Sequence, residues 1–120
     1  MDVQTIARRH IGASHTLPGE PGCDRLHGHS YLVTAVAEGP FEPKTGHAVG
    51  GKGLQEALDA LLVELHQKDL DTMMPGSITT PEGIAAWLVE RLSQRIDRLV
   101  RIEVQEMDSM REGVALRKLR

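Results

Sequence analysis

Two histidines stand two residues apart, His27 and His29, in the stretch CDRLHGHSY (residues 23–31), and the chain's single cysteine, Cys23, stands four residues before the first of them. In an extended segment, side chains at i and i+2 leave the same face, so this pair can grip one metal ion from one side. A third ligand has to come from elsewhere. His15 follows directly on a strand-like run, residues 2–14, and shares parity with Ile11 and Ala13. Antiparallel pairing of that run with the His27–His29 strand would bring it alongside. Three imidazoles leave an open coordination position, the arrangement of catalytic rather than structural zinc. The competing reading is a set of loop histidines with no ligand role, because His-x-His alone is a weak pattern. Cys23 also has two readings. A lone cysteine is commonly a small buried hydrophobe; in a polar Pro-Gly loop beside a cation, it is a thiolate of lowered pKa.

These residues need elements to hold them. Residues 2–14 read as a first strand, with Val3, Ala7, Ile11 and Ala13 on one parity and Arg9 interrupting. HSYLVTAVAEG (residues 29–39) is rich in β-branched residues and ends at Gly39-Pro40, so it is a second strand. FEPKTGHAVGGKG reads as a loop by its Gly and Pro content. Leu54, Leu58, Leu61, Leu62 and Leu65 then fall on one face of a helix. A polar loop, residues 68–79, leads to TTPEGIAAWLVERLSQRI, where a Thr cap, Pro81 and Glu82 mark a helix start and Ile84, Leu88, Leu92 and Ile96 form its buried stripe. In RLVRIEVQEM, Val100, Ile102 and Val104 alternate with Arg101, Glu103 and Gln105, a half-buried strand. REGVALRKL supplies a fourth. The order ββααββ predicts one α+β domain over residues 1–120, with an antiparallel four-stranded sheet and two helices on one face.

Composition bounds the function. The chain of 120 residues is 40% hydrophobic but only 2% aromatic, so its core is aliphatic, and a small aliphatic domain often completes its burial through partners. A net charge of −3, with no basic block interleaved with aromatics, argues against nucleic acid as a partner. The RKLR tail reads as a solvated cluster. A single cysteine excludes an internal disulfide framework and fits a cytoplasmic location. The sequence shows neither a signal peptide nor an apolar run of membrane length, so no membrane partner is expected.

The segments ASH, CDRLHGHSY, TTPEGIAAWL and VQEM, in that order and at these separations, resemble the 6-pyruvoyl-tetrahydropterin synthase and 6-carboxytetrahydropterin synthase family over nearly the whole chain. The resemblance implies the tunnelling fold (T-fold), in which three subunits close a twelve-stranded barrel and two trimers stack into a homohexamer with active sites at subunit interfaces. It implies that His15, His27 and His29 hold zinc and that Cys23 is the proton-abstracting thiol. It implies that Glu106 anchors the pterin. The physics agrees, since the pterin's ring N–H and exocyclic amine form a donor pair that a carboxylate accepts with two parallel bonds. Glu106 also shares parity with Val100, Ile102 and Val104, which puts it at the end of the buried face.

The chain departs from the family around the same pocket. The family writes Leu-Asp-His-x-x-Leu-Asn before its second helix, and the Asp-His pair is a second proton relay; here the stretch is LHQKDLD, with His66 in the Asp position and Gln67 in the His position. A glutamine cannot transfer protons near neutral pH. His66, Asp69 and Asp71 are the candidate substitutes, each at a different register. The family's Gly-Met-Val-x-Asp-Phe pattern is GHAVGG here, with Gly50-Gly51 replacing Asp-Phe, which suggests a looser loop. The usual Thr after the pterin glutamate is Met107. Two expectations follow. The first is a zinc-dependent lyase on a reduced pterin, resembling 6-carboxytetrahydropterin synthase in size and loop shortness, with altered or weak chemistry. The second is a non-catalytic pterin-binding T-fold protein, with or without metal.

Overall fold

In a computed structural model that describes residues 1–19, 25–107 and 112–118, the chain forms an antiparallel sheet with helices packed on one face. The order is β1 (Asp2–His15), β2 (His27–Glu42), β3 (His47–Ala48), α1 (Leu54–Leu62), α2 (Leu70–Met73), α3 (Pro81–Leu92), β4 (Leu99–Glu106) and β5 (Val114–Arg117). The main sheet runs β1-β2-β4-β5, and the two-residue β3 pairs with the far end of β2. The expected ββααββ frame is therefore present, with β3 and the one-turn α2 added inside segments read as loops. Among the described residues, no helix is long and apolar enough to cross a membrane.

β1 and β2 form a long two-stranded ribbon whose register pairs Ile11 with Tyr31, Ala13 with His29 and His15 with His27. The odd-numbered side chains of both strands face the helices, and Ala7, Ile11, Ala13, Tyr31, Val33 and Ala35 join one core with the leucines of α1 and α3. Every residue of the two predicted helix stripes is buried, including Leu65 and Ile96, which lie just past the helix ends. Arg9, the interruption in the β1 pattern, lies on that same parity and reaches Asp59 of α1 at 2.9 Å, with both side chains about half exposed. Its charge sits at the margin of the core rather than in it.

Three local readings are corrected. In β4 the inward residue at the start of the strand is Leu99, not Val100. A register irregularity sets Val36 opposite Arg101 but Ala37 opposite Leu99, so Val100 drops out of the alternation. The polar loop at 68–79 contains α2, whose Asp69 side chain accepts from the Asp71 N–H as an N-cap, and it buries Leu70 and Met74 completely. Gly50-Gly51 is closely packed rather than loose. Gly50 has φ +81 and a Cβ there would meet the Arg98 side chain, while a Cβ on Gly51 would meet Thr5.

Candidate metal and ligand site

Antiparallel pairing brings the end of β1 beside the start of β2, and that single fact assembles the three histidines. His15 and His27 are direct cross-strand partners, and His29 follows on the same face. Their ring centroids are 4.6 Å (His15–His27), 4.7 Å (His27–His29) and 5.1 Å (His15–His29) apart. One ring nitrogen from each lies within 4.8 Å of the other two.

Hydrogen bonds behind the rings fix which nitrogens face inward. His15 Nδ1 lies 2.8 Å from the Thr79 carbonyl oxygen, and His27 Nδ1 lies 2.7 Å from that of Arg25. A carbonyl only accepts, so each Nδ1 carries the proton and each Nε2 carries a lone pair. Both Nε2 atoms are buried without a hydrogen-bond partner among the described residues. Orphaned buried acceptors of this kind are rare and call for an occupant. At this spacing a point no more than about 2.8 Å from all three nitrogens exists, so the rings would have to draw inward to reach the 2.0–2.1 Å of zinc–imidazole bonds. The residues present fit a metal ion. Burial above all, and then the neighbouring His27 and His29, pull the His15 pKa below its ordinary value despite the opposing pull of the Thr79 carbonyl. His15 is thus kept neutral, as a ligand must be.

Glu106 ends β4 opposite Tyr31, and its carboxylate stands 4.0 Å from His29 Nε2, with both side chains more than four-fifths buried. Parity thus puts Glu106 on the helix-facing side, as expected, and beside the histidine cluster. The sequence reading passed over Tyr31, which is fully buried with its ring 5.8 Å from His29 and 6.3 Å from His15. Its signal was available: Tyr31 continues the i, i+2 series of His27 and His29. Cys23 lies outside the described residues.

The model of the 6-pyruvoyl tetrahydropterin synthase family matches residues 5–114. The chain belongs to that family. Solved structures share its fold. Caenorhabditis elegans 6-pyruvoyl tetrahydropterin synthase superposes with a TM-score of 0.86 at 17% identity, over 99% of this chain and 97% of that one. An uncharacterized Wolinella succinogenes protein gives 0.78 at 15% identity, over 99% of both chains. Plasmodium falciparum 6-pyruvoyl tetrahydropterin synthase gives 0.71 at 13% identity, over 98% of this chain and 99% of that one.

In this member of the synthase family, the segment carrying His66 and Gln67 is strapped to the free edge of β1. The Gly12 N–H donates to His66 Nδ1 at 3.0 Å, the Gln67 N–H donates to the Gly12 carbonyl at 2.6 Å, and the Ser14 N–H donates to the Lys68 carbonyl at 3.0 Å. Gln67 takes φ +59 to do so. His66 is exposed and its Nδ1 is committed to the backbone, which leaves Nε2 as its proton-bearing atom. Asp69 is committed to capping α2. Asp71 is committed to Thr16 and Thr79, described below.

Proposed function

We propose that this protein is a zinc-dependent lyase acting on a reduced pterin, with weak or altered turnover rather than ordinary 6-pyruvoyl-tetrahydropterin synthase activity. The observation that carries the reading is the pair of buried Nε2 atoms on His15 and His27 that have no hydrogen-bond partner among the described residues, with Glu106 beside His29. His15, His27 and His29 would hold the ion, which as a Lewis acid supplies polarisation of the substrate's side-chain hydroxyls and acidifies the adjacent C–H. Glu106 accepts the pterin's paired N–H donors and so orients the ring. Cys23 as thiolate takes the proton. Gln67 stands where the family places a proton-transferring histidine, and it favours a second reading, a pterin-binding protein without turnover.

Elemental analysis of the purified protein, alongside product analysis with dihydroneopterin triphosphate, tests the proposal. Bound zinc with a converted pterin product supports the lyase. Pterin binding with no product supports the second reading, and no pterin binding overturns both.

The site is expected to be completed by assembly. β1 and β5 are the two edges of the main sheet, and Ile6 and Leu116 are exposed on them. Among the described residues, the outer edge of β1 is covered by the 66–68 segment only at Gly12 and Ser14, and open strand edges invite pairing with another copy. A homo-oligomer built from trimers, most simply a hexamer, is the expected mass by light scattering at micromolar concentration; a monomer would sink the barrel and any interface site.

A further inference from the structure

One carboxylate, that of Asp71, bonds to the residues on either side of the His15 Nδ1–Thr79 contact. Asp71, in the first turn of α2, accepts three hydrogen bonds: from the Thr16 N–H at 2.8 Å and the Thr16 hydroxyl at 3.1 Å, both on Oδ2, and from the Thr79 hydroxyl at 2.9 Å on Oδ1. Thr16 is the residue after His15. Thr79 supplies the carbonyl that takes the His15 Nδ1 proton. The carboxylate therefore ties together the two segments whose separation sets that bond. His15 and Thr79 are both buried, at 0% and 1% exposure, while Asp71 and Thr16 are half-buried, so the carboxylate braces the buried bond from its partly exposed side.

We propose that Asp71 is the positioning residue of the histidine site, fixing the Nδ1–H tautomer and ring orientation of His15 by clamping Thr16 and Thr79 on either side of it. The inference rests on the metal reading only for its consequence, not for its geometry. Burial by itself raises the Asp71 pKa, but the Thr16 amide, the two threonine hydroxyls and the nearby His15 outweigh it and hold the carboxyl below its usual range. With its two oxygens engaged by Thr16 and Thr79, Asp71 serves here as a hydrogen-bond acceptor that holds the segments around His15. Outer partners of metal-bound histidines act through orientation and ligand basicity, and their loss typically weakens metal affinity about tenfold to a hundredfold.

His27 provides an internal control, because its Nδ1 bonds to the Arg25 carbonyl rather than to the Thr79 carbonyl that Asp71 braces. In metal-free protein, long-range 1H–15N correlation spectra should show His15 and His27 both as Nδ1–H tautomers. Asp71→Ala should leave His27 unchanged and convert His15 to a mixture of tautomers. Cobalt(II) titration followed by its visible ligand-field bands should show affinity weakened about tenfold to a hundredfold. Asp71→Asn keeps one acceptor oxygen and the shape of the side chain, so it should fall between and serves if Asp71→Ala does not fold. A His15 signal that stays wholly Nδ1–H in a folded Asp71 variant would overturn the proposal. Wild-type protein that binds no cobalt would overturn the metal reading, while the tautomer measurement would still decide the role of Asp71.

Discussion

Zinc stoichiometry is expected to collapse in His27→Ala and in His29→Ala while the oligomer persists. A site of three protein ligands and one open position cannot hold an ion firmly with two, and such a site contributes less to folding than a closed structural one. These two residues are the better probes because they sit at intermediate exposure at the strand start. His15 is fully buried, and its removal would also leave the Thr79 carbonyl unpaired, adding a folding cost unrelated to metal. Elemental analysis after zinc reconstitution, with light scattering on the same samples, reads both halves of the expectation. Acid should act in the same direction. A His15 pKa below its unfolded value near 6.5 contributes stability that is complete above about 6.5 and is lost as pH falls through the lowered value. Metal-free protein should therefore melt at lower temperature as the buffer is taken below that range, and bound metal should be released on further acidification because a protonated imidazole cannot ligate. Wild-type protein that takes up no zinc on reconstitution would remove the lyase reading and leave the pterin-binding one.

Restoring the relay should produce the second large effect. As it stands, the protein should convert dihydroneopterin triphosphate little or not at all, because Gln67 cannot move a proton. General acid–base assistance is worth roughly a hundredfold to ten-thousandfold in rate, and the double substitution His66→Asp, Gln67→His should recover part of it. The backbone accommodates both changes. An aspartate at 66 can still accept from the Gly12 N–H that now binds His66 Nδ1. Residue 67 has φ +59, a region where histidine is among the better-tolerated side chains. Glu106→Ala should abolish pterin binding in both backgrounds, since the ligand's donor pair would lose its charged acceptor. Equilibrium binding of a fluorescent pterin and steady-state turnover distinguish the two effects. Robust turnover by the unmodified protein would refute the broken relay and point to His66, through its Nε2, as the working group.

The sequence by itself determined the four strands of the main sheet, the two long helices and the histidines of the cluster. Period-two alternation and the leucine and isoleucine stripes placed the strands of the main sheet and the two long helices, because burial on one face imposes a period that survives in the residue order. Parity alone put His15 on the face of Ile11 and Ala13, and put Glu106 on the face of Ile102 and Val104, and the register pairs His15 with His27 accordingly. Only the tertiary structure decided matters set by contact rather than by period. The bulge that replaces Val100 by Leu99 depends on the register between two strands. The tight packing of Gly50-Gly51 depends on Arg98 and Thr5, both distant in the chain. The same holds for the tie from Asp71 to Thr16 and Thr79, across separations of 55 and 8 residues. A hydrogen bond between segments that remote leaves no periodic trace in either of them, so it becomes visible only when the chain has folded.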